Sequence, residues 1–174
     1  MAVVRDATAD DGAACAAIYA PYVTGTAISF EEVPPTAAEM ARRIAAAQER
    51  HAWLVLEDDD GAVTGYAYAG PYKERVAYRW SCEVSVYVAT GRGRSGAGRR
   101  LYGALLDRLA ARGFRTAVAG MTRPNEPSEA FHRAMGFEPV GTWRRIGWKH
   151  GRWRDVTWVQ RSLGPDDGPP AELR

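Results

Sequence analysis

Within eight residues, Gly91-Arg-Gly-Arg-Ser-Gly-Ala-Gly98 gathers four glycines and two arginines. The segment follows an alternating, strand-like run and opens a helical one. At such a place the unpaired backbone N–H groups and the positive end of the helix dipole form an anion site, and a pyrophosphate is its natural guest. Gly91, Gly93 and Gly96 also spell G-x-G-x-x-G, but the context of a dinucleotide fold is missing. No Asp or Glu lies between Asp107 and Glu126 to meet a ribose, and too little chain follows for a doubly wound sheet. A P-loop is excluded because no Gly-Lys-Ser/Thr closes the run. Just upstream, Glu83-Val-Ser-Val-Tyr-Val88 alternates, so Val84, Val86 and Val88 are expected on a core face. The opposite face then carries a carboxylate (Glu83), a hydroxyl (Ser85) and a phenol (Tyr87) next to the anion loop. A carboxylate so placed can accept a proton directly or through a water.

The remaining elements must bring these groups together. Ala2 to Val4 reads as a short strand, and Thr8 to Asp11 as a weak capping signal for a helix over about 9–23. Thr36-Ala-Ala-Glu39 is a stronger capping box, ahead of Met40, Ile44 and Ala47 at helical spacing to about Arg50. Trp53–Leu56 and Val63–Ala69 flank the turn Asp58-Asp-Asp-Gly61 as a β-hairpin. Leu101, Leu105 and Leu109, with Tyr102 and Leu106, mark the most regular helix of the chain, which Gly113 ends. Arg115–Gly120 reads as a strand, Pro127–Met135 as a short helix, and Phe137–Gln160 as a long hairpin turning near His150-Gly151. Composition predicts a disordered tail over 164–174, so a single domain over 1–163 is expected.

Arg94-Ser-Gly-Ala-Gly98 before an amphipathic helix, followed by Asn125-Glu-Pro-Ser-Glu-Ala-Phe131-His132-Arg-Ala-Met-Gly136-Phe137, resembles the acyl-CoA signature of the GNAT superfamily of N-acetyltransferases. Further segments resemble its phosphinothricin and methionine sulfoximine acetyltransferases in order and spacing, over about residues 2–162. These are Ala69–Lys73, Arg75–Tyr78, Trp80–Val88, Leu101-Tyr102, Pro124-Asn125 and Gly147–Gly151. The resemblance implies an α/β fold, a mixed and mostly antiparallel twisted sheet flanked by helices and splayed around Val86–Val88. It implies acetyl-CoA as cosubstrate, with the pantetheine arm along the backbone of Val86, Tyr87 and Val88. The pyrophosphate would lie on Arg94, Ser95, Gly96, Ala97, Gly98 and Arg99, and Asn125 would touch the arm. Gly93 departs from the superfamily, which usually has Gln or Arg there, and Arg92 or Arg94 would have to compensate.

Acetyl transfer to an amine by direct attack in a ternary complex needs a deprotonated amine, a stabilised oxyanion and a protonated leaving thiolate. Glu83 is the candidate base, and a backbone N–H near Val88 the implied oxyanion donor. His132 stands where most of the superfamily has tyrosine, and an imidazole can give or take a proton near neutrality. Lys73, Arg75 and Tyr78 are expected to reach the same cavity as Glu83, where an arginine suits bidentate capture of a substrate carboxylate or phosphinate. Phe30 resembles the family's substrate-lining segment. The implied acceptor is a small amino acid or analogue such as phosphinothricin or methionine sulfoximine. Another amine (a protein N-terminus, lysine or polyamine) is the alternative, although the cationic 73–79 segment disfavours a polyamine.

Composition sets the outer bounds. Of 174 residues, 46% are hydrophobic and 25% charged, which predicts a buried core, and the net charge of +2 is too small for a dedicated nucleic-acid binder. Trp143, Trp148, Trp153 and Trp158 recur among basic residues, a pattern that could stack on single-stranded nucleic acid. Their odd spacing instead throws successive indoles to opposite faces, which suits a sheet packed on both sides, including a homodimer interface. Cys15 and Cys82 show no C-x-x-C or Cys/His spacing, so neither a metal site nor a disulfide framework is expected. Without an apolar run near ~18 residues or a signal-like N-terminus, a cytoplasmic protein with no membrane partner is expected.

Overall fold

The computed structural model describes residues 2–91, 96–165 and 167–174. Its frame is a seven-stranded sheet in the order β1-β2-β3-β4-β5-β7-β6. The strands are β1 (Val3–Asp6), β2 (Ala52–Glu57), β3 (Val63–Pro71), β4 (Ser81–Val88), β5 (Thr116–Thr122), β6 (Glu138–Lys149) and β7 (Arg152–Ser162). All neighbours are antiparallel except β4 and β5, which run parallel and are registered only over Ser81–Glu83 against Thr116–Val118. Beyond Glu83 these two strands part, β4 staying on β3 as far as Val88 and β5 on β7 as far as Thr122. The splay expected around Val86–Val88 is this opening.

Each helix follows from a local signal. A 3-10 turn at Ala9–Asp11, closed by the Thr8/Asp11 capping box, leads into α1 (Gly12–Gly25). The stronger box is realised at α2 (Ala37–Arg50), where the Thr36 hydroxyl accepts from the Glu39 N–H at 3.1 Å. The leucine stripe buries one side of α3 (Ala97–Ala111), with Leu101, Leu105 and Leu109 fully inaccessible. In α4 (Glu126–Ala134), the Asn125 side chain caps the Ser128 N–H.

Helices cover both faces of the sheet, so there are two cores. On one face α3 packs on Leu54, Leu56, Ala67, Val84 and Met121; on the other α1 and α2 pack on Trp53, Val55 and Tyr66. Double coverage is why β2 reads Ala-Trp-Leu-Val-Leu rather than alternating. It also amends the expectation for β4. Val84, Val86 and Val88 do join the α3 core, but the Tyr87 phenol is drawn into the second core, 4.8 Å from the Tyr19 ring and 5.1 Å from that of Tyr22. Glu83 and Ser85 line open space on that face together with the side of the half-buried Tyr87 that the second core leaves uncovered.

The segment after Gly164 returns to the body at its end. The Trp80 indole donates to the Ala171 carbonyl, the Arg174 N–H donates to that of Arg112, and Leu173 packs beside the α3 core.

Candidate active site

The site is built where β4 leaves β5. The Ala89 N–H donates to the Thr64 carbonyl, which fixes the phase of the β3–β4 ladder. By the alternation of an antiparallel pair, the N–H and C=O groups of Glu83, Ser85 and Tyr87 serve β3, while those of Val86 and Val88 point into the gap toward β5. Ile28, Val84 to Tyr87, Ala119 to Thr122, Asn125, Ser128, Phe131 and His132 line a narrow cleft of 90 Å³ there. The first turn of α3 closes its upper end, Gly98 lying between the Phe131 ring and Val88. Gly96 caps this helix with φ of +80°, a left-handed turn that lets the chain swing from the loop into the helix. The N–H groups of Gly98 and Arg99 fall in the first turn, where a helix supplies no acceptor of its own.

These features fit a long amide-containing arm ending in a diphosphate. Two outward-facing peptide groups on β4 match amides of the arm, and a helix start lies at its phosphate end. Val86, Tyr87 and Asn125 line this channel, Gly98 lies against Phe131 and Val88 at its end, and Gly96, Ala97 and Arg99 belong to the adjoining helix start. Arg94 and Ser95, with Gly93, lie outside the described residues. The Asn125 side chain is engaged in capping α4, which leaves its own edge of the cleft as the surface offered to an arm.

On the other side of β4 a larger cavity of 580 Å³ opens, lined by Tyr19, Phe30, Tyr68, Glu83, Ser85, Trp143 and Trp158, among others. Tyr87, Gly120, Thr122 and Ile28 border both spaces, so the cavity and the cleft meet at the splay. The Glu83 carboxylate accepts no hydrogen bond among the described residues. Burial pushes its pKa above the ordinary value, and the Lys73 ammonium pulls it part of the way back. A half-buried, unsaturated carboxylate of this kind is suited to taking a proton.

Lys73, Arg75 and Tyr78 were expected in the same cavity, and here the structure corrects the sequence. They line a separate, adjoining depression of 630 Å³ with Pro71, Tyr72 and Glu74. Tyr72 and Tyr78 line this depression and Trp158 lines the Glu83 cavity, and the Tyr72 ring meets both Tyr78 and Trp158 edge-on at their border. Only the charge of Lys73 is felt at Glu83. The reason is topological: a 3-10 turn at Val76–Tyr78 carries the chain away from the sheet before β4 begins.

His132 is also not the free proton carrier that its sequence position suggests. The ring is 6% exposed, with Nδ1 2.8 Å from the Ser128 carbonyl and Nε2 3.0 Å from the Tyr102 hydroxyl. A carbonyl can only accept, so Nδ1 carries the hydrogen and Nε2 accepts from Tyr102. Phe131, Phe137 and Tyr102 surround the ring, and burial lowers its pKa, with the Ser128 carbonyl pulling the other way. Its geometry is that of a residue holding α4 against α3, at the edge of the cleft.

Other participants gave no sequence signal. The Tyr22 hydroxyl donates to the Val88 carbonyl at 2.6 Å and so orients the peptide at the end of β4. Tyr19 bonds Ser29 and Glu31, while Glu31 receives both Nη atoms of Arg43 at 2.7 and 3.1 Å. These contacts fix the segment that carries Phe30. Among the described residues no group of three or more His, Cys, Asp or Glu side chains converges as metal ligands.

Comparison with known proteins agrees with this geometry. The family model "Acetyltransferase (GNAT) domain" matches residues 4–158. Phosphinothricin N-acetyltransferase of Streptomyces viridochromogenes is 42% identical over 171 residues, covering 98% of this chain and 92% of the relative. An L-methionine sulfoximine/L-methionine sulfone acetyltransferase of Pseudomonas paraeruginosa is 35% identical, covering 97% of this chain and 99% of that one. Among solved structures, a GNAT superfamily phosphinothricin acetyltransferase from Sinorhizobium meliloti in complex with AcCoA superposes with a TM-score of 0.93. It is 39% identical over 98% of this chain and 94% of its own. A splayed β4–β5 pair, a helix start at one end and a carboxylate-bearing cavity on the far side therefore coincide with sequence likeness along nearly the whole chain, and the protein belongs to the GNAT family and is an N-acetyltransferase.

Proposed function

We propose that this enzyme moves the acetyl group of acetyl-CoA to the amine of a small amino acid or analogue of the phosphinothricin and methionine sulfoximine type, within a ternary complex. The observation that carries the proposal is the meeting of cleft and cavity at the splay. A thioester drawn along Val86–Val88 would present its carbonyl to an amine held beside Glu83. Glu83 takes the ammonium proton, and its raised pKa keeps it basic enough to do so. The Val88 N–H, directed into the gap, faces the developing oxyanion, while Tyr22 holds the Val88 carbonyl of the next peptide. His132 acts as a positioning residue, keeping α4 and Asn125 against the cleft.

Arg99 and the α3 N-terminus, together with Arg94 and Ser95, hold the diphosphate, and Phe30 lines the acceptor side. Lys73 tunes Glu83, while Arg75 and Tyr78, in the adjoining depression, draw in an anionic acceptor. Relatives named for amino-acid analogues support this acceptor class over polyamines. Residues 1–163 form the catalytic domain. The exposed apolar edge at β6 supports a homodimer with no nucleic-acid partner, and two buried free thiols suit the cytoplasm.

Thermal unfolding with acetyl-CoA at about 100 times its dissociation constant should show about 2.7 kcal/mol of added stability. Thioester cleavage should then be fastest with amino acids that bear a second anionic or tetrahedral polar group. Faster turnover of spermidine or a lysine peptide than of every amino acid tried would overturn the acceptor assignment and leave the acetyltransferase intact.

A further inference from the structure

One wall of the acceptor cavity that Glu83 lines is a loop. Residues 26–36 join α1 to α2 with neither helix nor strand, and Phe30 stands on this segment, 42% exposed, against the cavity. Such a loop has no ladder to hold it, so its position must come from side chains. One of them is Lys149, the last residue of β6, which is only 7% exposed. Its Nζ donates to three carbonyls, those of Val23 at 2.7 Å, Ser29 at 2.5 Å and Glu31 at 2.7 Å. Three donors meet three acceptors, so the ammonium is saturated without a direct ion pair. The Val23 carbonyl belongs to the last turn of α1, where a helix leaves its carbonyls unpaired and favours a cation. The other two carbonyls flank Phe30 in sequence.

Two residues before Lys149, and so on the same face of the strand, lies Gly147. The Phe30 ring sits directly over it. A Cβ on Gly147 would fall 2.6 and 2.9 Å from two ring carbons and closer still to a third, contacts that real side chains do not make. The backbone on both sides of Phe30 is thus tied to one β6 residue, and the ring rests on another. With the Ser29 hydroxyl bonded to Tyr19 and the Glu31 carboxylate to Arg43, Phe30 is the exposed apolar side chain among the three that line the cavity.

We infer that Lys149 and Gly147 act together as the positioning device for the Phe30 wall, and that this device sets the size of the acceptor side chain the enzyme accepts. The inference rests on the acceptor cavity assigned above. Lys149 touches no reacting atom; it fixes where the wall stands, and Gly147 fixes how far the ring can withdraw from the cavity.

The test compares acceptor selectivity across a series of amines of increasing side-chain size, including whichever class the wild type uses best. Gly147→Ala pushes the ring into the cavity. It should raise KM for the largest acceptors about tenfold relative to the smallest, the scale on which pockets discriminate by size, while KM for acetyl-CoA stays unchanged. Removing the ring in the same background, as Gly147→Ala/Phe30→Ala, should restore the large acceptors. Lys149→Met frees the loop and should flatten the selectivity, whereas Lys149→Arg, which keeps a cation, should retain part of it. Each variant is first shown to be folded by its stabilisation with acetyl-CoA; should Lys149→Met not fold, the Gly147 series decides. Folded variants whose selectivity matches the wild type overturn the inference. A wild type that prefers a different amine class overturns the acceptor assignment instead, and selectivity within that class still reads the wall.

Discussion

Glu83 shows how one residue's chemistry depends on its surroundings. The alternation of β4 places it on the correct face, but its raised pKa comes from the walls of the cavity and its moderation from Lys73. The sign of the pH effect follows. Glu83 accepts a proton only when ionised, so kcat/KM should climb with pH through its pKa and fall on the acid side. Removing the Lys73 cation with Lys73→Met withdraws the force that lowers that pKa, and the acid limb should move to higher pH. Glu83→Gln should abolish the limb and lower the rate by ~10² to 10⁴ while leaving acetyl-CoA affinity intact. Superimposable pH profiles for wild type and Lys73→Met would remove Lys73 from the site.

At the scale of elements, the capping boxes were legible because they are local: a hydroxyl and a carboxylate three residues apart need nothing from the rest of the chain. Thr36 therefore offers a clean test of how much α2 owes to its cap. Thr36→Ala should cost about 1 kcal/mol. That loss should appear as a lower denaturant midpoint with an unchanged slope, because the surface exposed on unfolding is the same. Turnover at saturating substrates should not change, since the cap lies at the far end of the loop from Phe30. A changed slope would mean that α2 melts separately from the sheet.

For the whole molecule, the telling feature is the edge formed by β6. It is the last strand of the sheet, twelve residues long, and exposes Val140, Trp143, Ile146 and Trp148, while the Trp148 ring packs edge-on against exposed Trp153 of β7. A long apolar edge left open invites another chain, and the homodimer proposed above would cover it. Trp148→Glu places a charge in that face. In sedimentation velocity the wild type should run as a dimer and the variant as a monomer with its fold intact. A wild type that stays monomeric at every concentration would show that the edge serves some other purpose.

What the sequence determined by itself were the features fixed by short-range physics. The period of two in β4, the leucine stripe of α3, the caps of α1 and α2 and the glycine-rich approach to a helix start each need only neighbouring residues, and together they carry the family resemblance. The tertiary structure decided which groups meet. Lys73, Arg75 and Tyr78 are near Glu83 in sequence yet turn into their own depression, because the 3-10 turn diverts the chain. His132 lies in the expected helix, yet Ser128 and Tyr102 take up both its nitrogens. Conversely, Lys149 and Gly147 reach a loop more than a hundred residues away, and Tyr22 reaches Val88 across 66 positions. Contacts at such separations leave no periodicity or spacing to read, because they exist only once the sheet has brought its distant strands and loops side by side.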